Sequence, residues 1–202
     1  MLHRLVASPS PRYKPAMARR PKKPPMTKES LLPRLAAHVL AHGLGQASLR
    51  PLARAAGTSD RMLIYHFDTK EALIIDLLQH LAGIYAAQLD NLLAADRPAS
   101  RQALLARILA HNADPAMAPF LTLWWEIVAG AARDLPGFRA AARAMVDRLH
   151  AWLVGHMPAG DPDPDGGASY LLTLIEGSLM LGALGQGDRA RAGLLAAGLI
   201  AP

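Results

Sequence analysis

From Thr27 onward, apolar side chains recur at three- and four-residue steps along almost the whole chain, and no stretch alternates with a period of two. That spacing belongs to helices with one buried face, so the pattern predicts an all-α protein. A first helix is expected over 27–42, with Leu32, Leu35, Ala36, Val39 and Leu40 as its stripe and Gly43 as its stop; Pro33 fits if it falls near the first turn. Ser48 stands where it can cap the next helix, SLRPLARAAG. Leu49, Leu52, Ala53 and Ala56 share a face of that helix, and Gly57 supplies a left-handed end. Ser59 caps a short helix through His66. Thr69 then caps a long one carrying Leu73, Ile74, Leu77, Leu78, Leu81, Ile84, Tyr85 and Leu92. Beyond Arg97-Pro98 the pattern predicts helices at 100–112, 116–133, 137–156, 167–185 and 188–200. Asp114-Pro115, Leu135-Pro136-Gly137, the loop PAGDPDPDGG and Gly185-Gln186-Gly187 separate them.

The helix after Ser59 is only about two turns long, too short to be stable alone, yet it is furnished with Arg61, Tyr65 and His66 and followed by Lys70. A helix, a glycine turn and a second short helix form a helix-turn-helix, whose second helix enters the major groove of DNA. Between Thr27 and about Leu78 the chain resembles the DNA-binding domain of the tetracycline-repressor (TetR) family, in KESLLPRLAAHVLAHG, SLRPLARAAG, TSDRMLIYHF and DTKEAL. The succession of AG, a serine two positions later, an aromatic-rich turn ending in HF, and T-K-E-x-L carries the likeness. It covers about a quarter of the chain; the rest agrees in length and helical character. The resemblance implies DNA contacts from Thr58, Ser59, Asp60, Arg61, Met62, Tyr65 and His66, and matches Lys70 to a phosphate-contacting lysine. Physical chemistry supports that last role, since a helix N-terminus offers free N–H groups and Lys70 adds a full charge. Arg50, near the start of its helix, is a second backbone candidate. Ile64 departs from the pattern, standing where a tyrosine is common. Tyr65 beside it points about 100° away on the helix. Arg61 stands where a small residue is frequent, and reaches either guanine O6 and N7 or a phosphate. Asp60 suits a helix start. Leu63, Ile64 and Phe67 are expected to pack inward, and Met62 is open to either role.

Charge adds a division that hydropathy does not show. Residues 1–26 hold Arg4, Arg12, Lys14, Arg19, Arg20, Lys22 and Lys23 and no acid, leaving 15 basic and 16 acidic side chains for the rest. The proline-rich basic segment has too little apolar surface to fold on itself. It reads either as an arm adding phosphate or minor-groove contacts, or as sequence upstream of a start at Met17 or Met26. The expected organisation is therefore an arm (1–26), a helix-turn-helix domain (27–80) and a regulatory and dimerisation domain (81–202).

The chain has no cysteine, which excludes disulfides, thiolate zinc sites and cysteine nucleophiles and agrees with a cytoplasmic location. The run Tyr170 to Gly185 is interrupted by Glu176 and too short for a bilayer, which takes about 20 residues. The basic N-terminus lacks the apolar stretch of a signal peptide. His38 and His42 share a face, but HVLAH lacks the glutamate of HExxH. The loop from Asp161 to Gly166 has Leu172 where a calcium loop needs its twelfth-position glutamate, so a turn before a helix is the better reading. No GxSxG elbow or phosphate-cradling glycine loop is present. No cofactor, metal, membrane partner or catalytic residue is expected.

In the C-terminal half, MAPFLTLWWEIVAGAARD gathers Met117, Phe120, Trp124 and Trp125, while Met145, Trp152, Tyr170 and Met180 come from other helices. These are candidates for lining an effector cavity, with Glu126 or His111 as a polar anchor. Core packing explains the apolar ones equally well. Leu171, Leu174, Ile175, Ser178, Leu179 and Gly182, with Leu195 and Leu199 in the apolar end of the chain, are candidates for a dimer interface. The resemblance implies a bundle formed by the last two helices of each of two subunits. Since one recognition helix reads few base pairs, the expected function is a homodimeric regulator, usually a repressor, that binds a partly palindromic double-stranded DNA operator and is released by a small apolar or amphipathic molecule. The alternatives are a helical interaction module, which would show no salt-sensitive duplex affinity, and a small helical enzyme, which would show turnover.

Overall fold

The computed structural model describes residues 26–94 and 96–201, so the arm, apart from Met26, lies outside the described residues. The described residues hold nine α-helices and no strand: α1 (Lys28–His42), α2 (Leu49–Ala56), α3 (Asp60–Phe67), α4 (Lys70–Leu93), α5 (Arg101–Asn112), α6 (Ala118–Ala132), α7 (Phe138–His156), α8 (Pro164–Ala183) and α9 (Gly187–Ala196).

The N-terminal boundaries follow local chemistry. Thr27 and Ser30 form a reciprocal capping box at α1, Ser59 Oγ accepts from Met62 N–H at the start of α3 (3.3 Å), and Thr69 Oγ1 accepts from Ala72 N–H at the start of α4 (3.0 Å). Gly57, at φ 71° and ψ 35°, ends α2 in the left-handed region. There Thr58 N–H reaches back to the Ala53 carbonyl, closing a turn that a side chain would strain. Ser48 differs from expectation: it occupies the cap position of α2 in extended geometry, but its side chain makes no capping bond. Pro33 lies in the second turn of α1, not the first. The Glu29 carbonyl it leaves without a helical donor belongs to an exposed residue, so water can replace the bond. The other shifts are in the C-terminal half. A 3₁₀ turn over Pro115–Met117 precedes α6. Helix α8 starts at Pro164, three residues early, because Asp163 caps it by accepting from Gly166 N–H (2.9 Å), and α9 stops at Ala196 rather than 200.

Two apolar cores result. The first joins Leu31, Leu35, Leu52, Leu63, Phe67, Leu73 and Leu77 to Leu123, Ile127 and Ala141 of α6 and α7. The second gathers Leu89, Leu104, Leu105, Ile108, Leu153, Leu171 and Ile175. Helix α4 runs unbroken through both, so the division expected near residue 80 falls inside a continuous helix. By length and hydropathy α4, rather than the 170–185 run, is the helix most like a membrane span, but it packs against α1, α3 and α7, as a core helix does.

Candidate nucleic-acid interface and effector cavity

The two-turn α3 is held from three sides. Leu63 and Phe67 are fully buried between α2 and α4. Lys28 of α1 pairs with Asp76 of α4 (2.9 Å) and lies 5.2 Å from the centroid of the Phe67 ring. Arg34 of α1 donates to the Ala56 carbonyl (3.0 Å) at the end of α2. The sequence reading did not single out either clamp, because each joins residues more than twenty positions apart.

With its inner face so anchored, α3 turns Ser59, Asp60, Arg61 and Tyr65 outward, and Tyr65 is 74% exposed. Arg61 and Tyr65, four residues apart, share a face. Lys70 is exposed at the first position of α4 and Arg50 in the first turn of α2, where free N–H groups and a basic side chain coincide. Met62 and Ile64 are half-buried. Thr58 and His66 are placed differently from the rest, since Thr58 Oγ1 and His66 Nε2 are closed off from solvent without a hydrogen-bond partner. The Ser59 hydroxyl is already engaged in its cap. The exposed set available to a duplex is therefore Arg50, Asp60, Arg61, Tyr65 and Lys70.

The C-terminal bundle encloses a cavity of about 80 Å³ between α4, α6, α7 and α8. Phe120, Trp124, Met145 and Trp152 line it as expected candidates, joined by Tyr85, Leu149, Ile175 and Glu176 among others. Six candidates lie elsewhere. Met117 is buried in the 3₁₀ turn before α6, Trp125 is half-buried outside the cavity wall to which its neighbour Trp124 belongs, and His111 packs its ring 6.2 Å from that of Tyr85. Tyr170 and Met180 are on the outer surface. Glu126, read as a pocket anchor, instead accepts a 2.5 Å hydrogen bond from Leu44 N–H, at the start of the 3₁₀ turn Leu44–Gln46 that joins α1 to α2. It therefore ties α6 to the helix-turn-helix. The corrections share a cause: on a helix packed from several sides, neighbours one residue apart face different partners.

The polar groups near the cavity are few. Glu176 Oε2 accepts from Trp124 Nε1 (2.9 Å), and burial pushes its carboxyl above the ordinary range, the indole bond opposing. The Tyr85 hydroxyl donates to Asn112 Oδ1 (2.8 Å), and burial pushes the phenol up to about 12. Trp152 Nε1 donates to Asp90 (2.6 Å). Among the described residues no group of three or more His, Asp or Glu could hold a metal ion. The rings of His38 and His42 stack on each other.

Of the dimer candidates, Leu171 and Ile175 are buried within the single chain, each 1% exposed; they belong to its second core and cannot also form a surface. Leu174, Ser178, Leu179, Leu195 and Leu199 are partly covered, and Gly182 is exposed. Tyr170, Thr173, Gly177, Met180 and Leu184 instead recur at three- and four-residue steps along the outer face of α8. Met180 is 51% and Leu184 68% exposed.

A helix-turn-helix presenting an exposed arginine and tyrosine, followed by a helical bundle with an apolar cavity, defines a DNA-binding transcriptional regulator. Residues 34–77 match the family model described as "Bacterial regulatory proteins, tetR family". It is 28% identical to the HTH-type transcriptional regulator BetI of Pseudomonas paraeruginosa over 150 residues, covering 70% of this chain and 74% of that protein. Its fold resembles that of a regulator from Rhodococcus sp. assigned to the TetR family (TM-score 0.65, 20% identity, 84% of this chain and 95% of that one). It also resembles the multidrug binding protein EbrR, solved in complex with imidazole (TM-score 0.59, 20% identity, 87% and 90% of the two chains).

Proposed function

We propose that this chain is a regulator of the TetR family that binds a partly palindromic operator as a homodimer, usually as a repressor, and is released when a small molecule occupies the bundle cavity. The observation that carries the reading is the double engagement of α6. One side of α6 supplies Phe120, Leu123, Trp124 and Ile127 to the cavity wall, while Glu126 holds the backbone of Leu44. A cavity of about 80 Å³ is smaller than the few hundred Å³ usual for drug-sized ligands, so most occupants must move its walls. Movement of α6 would then be passed to the turn that sets α2 and α3. Release follows from a difference in ligand affinity between the two arrangements.

The apolar stripe Tyr170, Thr173, Gly177, Met180 and Leu184 supports a second copy of the chain docking on α8, which would place two recognition helices on successive major grooves. Arg61 and Tyr65 would read base edges, while Lys70 and Arg50 would hold phosphates. Selecting DNA from a random duplex pool with the purified protein tests the reading. Enrichment of two related half-sites about one helical turn apart is expected, and recovery of no preferred sequence would overturn it.

A further inference from the structure

Among the described residues, Glu176 is the only carboxylate in the cavity wall. Its one hydrogen-bond donor is the Trp124 indole, and among the described residues no lysine, arginine or histidine forms an ion pair with it. Arg148, also in the wall, is exposed, and its guanidinium lies against Gly83, 3.7–3.9 Å from where a Cβ would stand. The water around it screens its charge far more than the bundle screens that of Glu176. The other polar groups nearby are occupied, the Tyr85 hydroxyl with Asn112 and the Trp152 indole with Asp90.

An occupant therefore meets a half-buried carboxylate without a counter-charge, set among the aromatic rings of Tyr85, Phe120, Trp124 and Trp152. A neutral apolar molecule would leave that carboxylate unpaired in a drier environment, which is costly, and an anion would be repelled. A cation with an apolar body satisfies both features, pairing with the carboxylate while its charge lies against ring faces.

We propose that the cavity takes a small organic cation with apolar substituents, an alkyl- or arylammonium, with Glu176 as its counter-charge. The assignment rests on the cavity being the effector site. It names the chemical class the site selects, and it places that selection on a residue of α8 that the helix pattern marks only as an interruption of an apolar run.

The test titrates wild-type protein and Glu176→Gln, which keeps the shape and an acceptor for Trp124, with three probes. These are benzyltrimethylammonium, its uncharged carbon isostere neopentylbenzene, and phenylacetate. Quenching of tryptophan fluorescence reports binding, since Trp124 and Trp152 are in the wall; circular dichroism reports that the variant is folded. The wild type should bind the ammonium at least tenfold more tightly than the isostere, and Glu176→Gln should abolish that preference while still binding the isostere. Equal affinity of the wild type for ammonium and isostere, tightest binding of phenylacetate, or an unchanged ammonium preference in Glu176→Gln would each overturn the cation assignment and leave the cavity as the effector site. Absence of binding by all three probes, with no effect of any on operator binding, would overturn the assignment together with the effector reading beneath it.

Discussion

Gly43 and Glu126 form a contact whose energetics can be worked from the structure. Glu126 Oε2 accepts from Leu44 N–H at 2.5 Å, and a Cβ added at Gly43 would overlap the same carboxylate. Gly43 itself sits at φ 75° and ψ 173°, a region open essentially to glycine alone, where another residue costs about 1–3 kcal/mol. A hydrogen bond to a charged group contributes about 1.5–3 kcal/mol, and the partial exposure of Glu126 puts this one near the lower end. Glu126→Ala should therefore lose about 1.5 kcal/mol, a fall of about 0.5–1.5 M in the urea midpoint at slopes of about 1–3 kcal/mol per molar. Gly43→Ala should incur that backbone strain and also lose most of the same hydrogen bond, because the new methyl displaces the carboxylate. The double variant then costs less than the sum of the two, by about the energy of the shared bond. Urea unfolding followed by circular dichroism measures all four corners of the cycle. Strictly additive losses, or an unchanged midpoint for Glu126→Ala, would refute the idea that this carboxylate holds the turn between α1 and α2.

Other outcomes follow from the same structure. Arg61→Ala should weaken operator binding by about 1–3 kcal/mol mainly at one base pair, whereas Lys70→Ala should weaken binding to every duplex and lower the salt slope by about one unit; equal losses on all sequences for both would refute the distinction, read by titrating the selected operator and scrambled duplexes. Replacing Met180 and Leu184 with glutamate should separate the dimer while the helical content survives, and sedimentation that still finds a dimer would place the symmetry axis elsewhere. Ile175→Glu, by contrast, should unfold the bundle, since it places a charge in the second core; a native-like melting curve would contradict that placement. Glu176 has a raised carboxyl when folded and so binds more protons folded than unfolded. Its contribution favours folding most below the ordinary carboxylate range and is lost as pH rises through the raised value. The wild-type stability minus that of Glu176→Gln should accordingly fall with rising pH in that window, with Tyr85 and Arg148, the ionisable groups on the facing helices, unchanged between the two; a difference independent of pH would refute it. Deleting residues 1–25 should leave the preferred operator unchanged while reducing affinity and its salt dependence, and an unchanged affinity at low salt would show that those charges do not reach the DNA.

What the sequence by itself determined is what local chemistry specifies. Thr27, Ser59 and Thr69 satisfy N–H groups within three residues of themselves, and Gly57 supplies a backbone conformation that the turn requires, so the helix-turn-helix and its exposed Arg61 and Tyr65 could be read one residue at a time. Even there Ser48 misled, because a serine at a cap position need not turn its hydroxyl toward the helix. The long helix α4 was legible from its period alone, as was the run of helices after Pro98. The tertiary structure decided which side of each later helix meets which neighbour. Trp124 and Trp125 are indistinguishable in composition, yet one lines the cavity and the other does not; Ile175 and Met180 lie on the same apolar helix, yet one is core and the other surface. Glu126, expected as a cavity anchor, holds a turn instead, and Glu176, read only as an interruption of an apolar run, lines the cavity, since the turn that receives Glu126 lies 82 positions away and the indole that meets Glu176 lies 52 away. A helical period gives the presence and width of an apolar stripe, but its direction is fixed only when several helices pack at once, because each helix crossing sets the phase of the next.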